Sequence, residues 1–194
     1  AATRLPALLA AYHQRYPAVA LSLITGTSGE IIERVRAGTL AAALVDGPVP
    51  YYELNGCIAF REQMVLISSA EHADIHNPID ASGDTLFTFR PSCSYRLRFE
   101  SWFRESGVQP GNIMELQSYH GMMACVASGA GLAMLPHSVL SQMPDQQRVK
   151  VHSLPPLYRD SATWLIWRRD AFTPNVEALK YLIIEQFDDK AEKP

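Results

Sequence analysis

Apolar and polar positions alternate between short branched runs and amphipathic stretches. Leu5, Leu8, Leu9, Tyr12 and Tyr16 recur at helical spacing, which predicts a helix that Pro17 ends. Residues 19–24 are rich in branched side chains and read as a strand. Gly26, Thr27 and Ser28 lead into a second helix, with Ile31, Ile32 and Val35 on its apolar face and Glu30, Glu33, Arg34 and Arg36 toward solvent. Gly38 can supply the left-handed residue that stops it. Residues 40–45 are apolar without alternation, as a strand covered on both faces requires. The same order is then written again: a strand at 113–116, Ser118, a helix to Gly129, and an apolar run at 132–135.

The remaining pattern predicts strands at 64–67, 86–89, 149–151 and 162–167. A turn cluster follows the first buried run at 46–50, and a polar segment covers 68–84. After a turn at 91–94, residues 95–105 read as a helix with Leu97, Phe99 and Trp102 inward and Gly107 closing it. Thr173 caps a last helix with Pro174 at its first position, lined by Val176, Leu179, Ile183 and Phe187. Residues 188–194 read as a frayed end. This alternation predicts an α/β fold. The second strand–helix–strand unit is embedded in the middle, so two Rossmann-like lobes are expected: lobe I from 1–68 plus 162–194, lobe II from 69–161. Two crossing strands, near 64–69 and 162–168, would join them, which is the connectivity of a hinged binding cleft.

Composition narrows the function. The chain has 194 residues, 47% of them apolar and 19% charged, which allows a packed core and argues against disorder. Its net charge is −3 and no basic run occurs, so this stretch is poorly suited to gripping nucleic acid by itself. Cys57, Cys93 and Cys125 are odd in number and scattered, which reads as reduced thiols and a cytoplasmic setting. No apolar run approaches the length of a membrane span. The chain opens at Ala1 rather than Met, as expected of a fragment or a processed chain.

Three helix starts carry hydroxyl groups. Thr27 and Ser28 stand at the first, and one of them is expected to cap while the other faces a ligand. Ser118, with Tyr119 and His120 beside it, repeats the arrangement. Ser92, Cys93, Ser94 and Tyr95 form a third such turn. Free N–H groups at such turns suit a small anion, although each serine is equally explained as a plain cap. A nucleophilic reading of Cys93 has the helix N-terminus in its favour, but no His or Asp is placed nearby in sequence as its base. His72, Asp74 and His76 alternate and could share one side of an extended segment, but a polar surface loop accounts for them as well, and no metal site is assigned. Arg96, Arg98 and Arg104 decorate one helix; a solvated face explains them, with Arg96 near enough to the turn to matter. No cofactor is implied: Gly129-Ala-Gly131 follows a helix and precedes a strand, the reverse of the dinucleotide order, and no phosphate-loop, nucleophile-elbow or His-Glu-x-x-His motif occurs.

Several ordered segments resemble the effector-binding domain of LysR-type transcriptional regulators. They are Leu5-Pro-Ala-Leu-Leu with Tyr16-Pro-x-Val19-x-Leu21 and Gly26-Thr-Ser28; Ile32 to Val35-x-x-Gly38-x-Leu40-x-Ala-Ala-Leu; and Ser118 followed by Val126-Ala-Ser-Gly129-Ala-Gly131-Leu-Ala-Met-Leu-Pro136. Cys93-Ser-Tyr-Arg96 with Phe99-Glu100-x-Trp102 is similar to a subgroup of that family. The resemblance implies a fold like that of type II periplasmic solute-binding proteins, with a small metabolite in the interlobe cleft. By motif position it assigns effector contact to Thr27, Ser28, Cys93, Ser94, Tyr95, Ser118 and Tyr119. It further implies a winged helix-turn-helix N-terminal to Ala1, through which DNA would be bound, and self-association as a homodimer or tetramer through faces near 31–36 and 122–126. The chain departs from the family where Leu40-Ala41 replaces the usual Leu-Asp, which puts in doubt a polar contact at the lobe edge. Two rival readings are a periplasmic solute-binding protein of the same fold and, further off, an enzyme using Cys93.

Overall fold

The computed structural model describes residues 3–187. The expected frayed stretch at 188–194 lies outside the described residues. By internal contacts the chain divides into two units, Ala1–Arg61 with Ala162–Pro194, and Glu62–Ser161.

Unit 1 begins with α1 (Leu5–Arg15) and α2 (Ser28–Arg36), followed by strand β1 (Ala42–Gly47). Strand β2 (Leu54–Ser69) starts here and continues into unit 2. Unit 2 then carries β3 (Leu86–Thr88), α3 (Ser94–Arg104), β4 (Ile113–Glu115), α4 (Tyr119–Ala127), β5 (Leu132–Pro136), α5 (His137–Leu140), β6 (Val149–His152) and α6 (Pro156–Arg159). Strand β7 (Asp160–Arg168) returns the chain to unit 1, which ends on α7 (Pro174–Phe187).

In unit 1, β7 lies between β1 and β2 and runs antiparallel to β1, with Leu44 opposite Leu165. The period of two sends alternate residues to opposite faces. Ala42, Leu44, Leu165 and Trp167 pack with Leu8 and Tyr12 of α1 and Val176, Leu182 and Ile183 of α7. Ala43, Val45 and Ile166 pack with Ile31 and Val35 of α2. An apolar run without alternation is thereby explained, because each face has its own helix. Gly38 adopts φ of +75° after α2, the left-handed stop expected of it.

Unit 2 holds strands in the order β2-β5-β3-β4, with β6 on β2. Strand β3 is parallel to both β4 and β5. Met64, Leu66, Leu86, Leu132 and Met134 point to one face and pack with Phe99, Trp102 and Phe103 of α3. Ile67, Phe87, Ala133 and Leu135 point to the other and pack with Met122, Met123 and Val126 of α4. Each buried side chain of this size contributes about 1.5–3 kcal/mol, so the two faces hold the helices firmly.

Three sequence expectations are corrected. Residues 19–24 form no strand: the chain bends at Val19 and then runs without regular structure, and Leu21, Leu23 and Ile24 are 47%, 56% and 41% exposed. Strand propensity selects an extended backbone, but a ladder needs an edge about 4.8 Å away. Here a cavity of about 610 Å³ intervenes, lined by Leu21, Leu23 and Ile24 and by Ala42 and Leu44 of β1. Strand β2 is 16 residues long, not four. Asn55, Gly56, Arg61, Glu62 and Gln63 break its apolar run and hide its first half. Leu97 is half-exposed; Phe103 takes the inward place beside Phe99 and Trp102.

Candidate functional site

The site is built from the ends of strands. In unit 2, β3 and β4 are parallel with Thr88 opposite Glu115, so the turns that follow them leave from the same edge of the sheet. One turn leads to α3, the other to α4. Helix starts at the carboxyl ends of parallel strands are where α/β folds bind ligands.

At the second turn Ser118 is the N-cap of α4, and its Oγ accepts from Gly121 N–H at 3.3 Å. The remaining N–H groups of that first turn, on Tyr119 and His120, have no acceptor among the described residues. At the first turn Cys93 is the N-cap of α3, and its thiol makes no capping hydrogen bond. Arg96 braces this loop: its Nη1 donates to Phe89 O at 3.1 Å and its Nε to Glu100 at 2.7 Å.

The two turns meet at Tyr119. Its ring stands edge-on to Phe89, centroids 4.9 Å apart. Burial pushes the Tyr119 hydroxyl far above the usual phenol range, and Tyr95, Cys93 and Glu62 nearby push it the same way. Tyr119 therefore stays a neutral hydrogen-bond donor at any physiological pH. Phe89 was not singled out from the sequence; its position at the strand end before Pro91 is the only signal for it. Glu62, a buried carboxylate, accepts from Ser138 Oγ at 2.8 Å and was hidden by the interrupted apolar run.

Thr27 and Ser28 lie in unit 1. Thr27 caps α2 through a reciprocal box: its side chain accepts from Glu30 N–H at 3.5 Å, and Glu30 Oε2 accepts from Thr27 N–H at 3.0 Å. The sequence left open which of the two hydroxyls would cap and which would face a ligand. The Ser28 Oγ accepts from Asp46 N–H at 3.3 Å, an amide that β1 brings to the helix start. The hydroxyls of this turn thus have structural duties before any ligand arrives.

Other candidates are dispersed. His72 faces Asp84 at 3.1 Å, Asp74 pairs with Lys150 at 3.1 Å, and His76 N–H donates to Asp80. Among the described residues no group of three His, Cys, Asp or Glu could hold a metal ion. The three cysteines are free thiols, each half-buried. Ile31 and Val35, and Met122, Met123 and Val126, which the resemblance placed at a dimer face, are buried within their own units. No helix among the described residues is long and apolar enough to cross a membrane.

A two-unit α/β domain with parallel strands ending at helix starts is the architecture of the type II periplasmic-binding-protein-like class. Solved structures of that fold align along nearly the whole chain. The effector binding domain of QuiR in complex with shikimate superposes with a TM-score of 0.77 at 16% identity, covering 96% of this chain and 91% of that one. The CcmR regulatory domain of Synechocystis PCC6803 in complex with 2-PG gives 0.81 at 17% identity, covering 94% and 92%. The BenM effector binding domain with its effector benzoate gives 0.77 at 17%, covering 98% and 89%.

The chain belongs to the LysR substrate binding domain family, whose model matches residues 1–188. It is 32% identical over 191 residues to the HTH-type transcriptional regulator GltR of Bacillus subtilis, covering 98% of this chain and 64% of that protein. It is 31% identical over 182 residues to the regulator CzcR of the same organism, covering 93% and 62%. The chain thus spans less than two thirds of the length of the curated relatives it matches.

Proposed function

We propose that this chain is the effector-sensing part of a LysR-type transcriptional regulator. In this reading it binds a small metabolite, and binding alters how an attached N-terminal winged helix-turn-helix engages DNA. The observation that supports it most is the meeting of two helix starts at Tyr119, beside Cys93 and Tyr95, in a family whose solved neighbours include effector complexes. Effector contact is proposed for Thr27, Ser28, Cys93, Ser94, Tyr95, Ser118 and Tyr119. A ligand that prefers one conformation of the chain shifts the population toward it by its differential affinity.

The groups at these turns are donors: backbone N–H, the Tyr119 hydroxyl and the Cys93 thiol. They suit a small organic acid, the class to which the shikimate and benzoate of the neighbouring structures also belong. No catalytic role is proposed, since the relatives are regulators and Cys93 has no assigned base. The whole regulator is proposed to be cytoplasmic and to work as a homodimer or tetramer.

A thermal-shift screen of small organic acids tests this. An acid present at a hundred times its Kd is expected to stabilise the chain by about 2.7 kcal/mol. The shift is expected to shrink in Ser118→Ala and Tyr119→Phe. Stabilisation by cations or neutral compounds alone would overturn the anionic assignment.

A further inference from the structure

The ladder between β3 and β4 ends one residue short of the candidate turns. Leu116 N–H donates to Thr88 O at 2.8 Å, and past that bond the chain leads from β3 to α3 and from β4 to α4. The next carbonyl of β3, Phe89 O, is taken by a side chain: Arg96 Nη1 donates to it at 3.1 Å. The same guanidinium gives its Nε to Glu100 Oε1 at 2.7 Å and holds Nη1 3.9 Å from Glu115 Oε2, at the end of β4. The other oxygen of Glu115 accepts from Gln117 Nε2 at 2.7 Å, in the turn that leads to Ser118. Two residues after Gln117 stands Tyr119, whose ring meets Phe89. The contacts close a circuit around the two turns, from Arg96 through Phe89, Tyr119, Gln117 and Glu115 back to Arg96.

Local preference does not explain an arginine here. Arg96 is the third residue of α3, where a cation opposes the helix dipole, and the first turn of this helix holds no acidic residue to offset it. A broken local rule points to a tertiary or functional duty. The side chain is only 16% exposed, so its length is used to reach protein acceptors rather than solvent. The pair with Glu115 is long and its carboxylate is 45% exposed, so it adds little to stability. What it adds is direction. A planar fork that faces Phe89 O, Glu100 and Glu115 is oriented by the end of β3, by α3 and by the end of β4 together. A lysine ammonium on a flexible stem has no such plane to fix.

We propose that Arg96 is the positioning residue of the Tyr119 corner: by addressing Phe89 O and Glu115 at once, it sets where the two turns of unit 2 stand relative to each other. The use of this corner in effector binding rests on the sensor reading. The contacts and their test do not.

The test reads Tyr119 without any effector. In an edge-to-face pair, protons that point at the neighbouring ring are shifted upfield, so the Tyr119 ring signals in NMR report its contact with Phe89. Phe89→Leu sets the value for a lost contact. Arg96→Gln is expected to move the Tyr119 signals toward that value by about half of the difference or more. Arg96→Lys keeps the charge and is expected to move them as far. Wild-type signals in the lysine variant would show that charge alone suffices and would overturn the proposal. Glu115→Ala is expected to move them in the same direction, and Arg96→Gln combined with Glu115→Ala to move them no further than Arg96→Gln alone. Fully additive shifts would overturn the circuit. Arg104→Gln removes a cation of the same helix that bonds only within it, to Ser101, and is expected to leave the signals in place. An equal movement there would assign the effect to α3 as a whole and overturn the role of Arg96. Dispersed amide spectra check the fold of each variant. Should Arg96→Gln not fold, Glu115→Ala and Gln117→Ala decide, and Tyr119 signals unmoved in both would overturn the proposal. A failed acid screen would leave these shifts as they are, and unmoved Tyr119 signals would leave the acid screen as it is.

Discussion

Phe89 and Tyr119 meet edge to face, with ring centroids 4.9 Å apart and 83° between the ring planes. One residue follows β3 and the other opens α4, so this pair fastens the two candidate turns of unit 2 to each other. Such a contact contributes about 0.5–1.5 kcal/mol beyond its buried area. Phe89→Ala is therefore expected to cost about 2 kcal/mol of stability in urea denaturation. Tyr119→Phe keeps the ring contact and removes only the hydroxyl. It is expected to leave stability within about 0.5 kcal/mol of wild type while weakening effector affinity by about tenfold. A Tyr119→Phe protein with unchanged affinity would remove the hydroxyl from the site.

In unit 1 the turn residues hold structure as well as any ligand. Thr27→Ala breaks half of the capping box with Glu30 and is expected to cost about 1 kcal/mol. Ser28→Ala leaves Asp46 N–H without its acceptor and is expected to cost a similar amount, about 1 kcal/mol. Chemical denaturation of the two single variants checks both values.

The sequence pattern and the coordinates agree where one helix covers one strand face. The cap-helix-glycine order is present in both units, with Thr27 and Ser118 as N-caps and Gly38 and Gly129 at positive φ. These features are legible because capping and helix termination are local. Residues 19–24 were misread because propensity reports backbone preference and says nothing of a pairing partner. The first half of β2 was missed because Gly56 and Glu62 are placed by tertiary contacts: Gly56 lies against Leu165 O, and Glu62 against Ser138. The site was legible as three turns but not as a constellation. Phe89 and the meeting of Tyr119 with Cys93 and Tyr95 depend on β3 and β4 being parallel neighbours, which no local pattern states. The Ser28 contact with Asp46 N–H was hidden for the same reason, since Asp46 arrives from another element.

The two glycines after α4 should respond differently to a methyl group. Gly131 packs so tightly that an added Cβ would stand 2.2 Å from Thr85 O, the acceptor of the Leu132 N–H bond that opens β5. Gly131→Ala is expected to cost about 3 kcal/mol or more. Gly129 has φ of +83° with open space around it, so Gly129→Ala is expected to cost only the conformational strain, about 1 kcal/mol. Urea midpoints of the two variants decide the order.

Acid should loosen unit 2 through His152. Its Nδ1 accepts from Ile75 N–H at 3.1 Å, so Nε2 carries the proton toward Ser68 Oγ at 2.8 Å, and Ser68 donates onward to Ser69 O. The ring must be neutral to make these bonds. Burial lowers its pKa below the ordinary histidine value; His72, Lys150 and His76 act in the same direction, and Asp74 opposes them. The unfolded chain takes up this proton first, near pH 6.5. The contribution of His152 is therefore complete above that pH and shrinks as the pH falls below it. Thermal unfolding from pH 7.5 to 5 is expected to show falling stability, and His152→Asn is expected to flatten the slope. An equal slope in that variant would assign the acid sensitivity to other groups.

The central claim is that the proposed contact turns bind a small organic acid. Isothermal titration of the best acid from the screen, into wild type, Thr27→Ala, Ser118→Ala and the double variant, tests it most directly. Each single substitution is expected to weaken binding by about tenfold, and the double variant by more than either alone. Full affinity in either single variant, with its fold intact, would remove the corresponding turn from the proposed contacts and would contradict the claim.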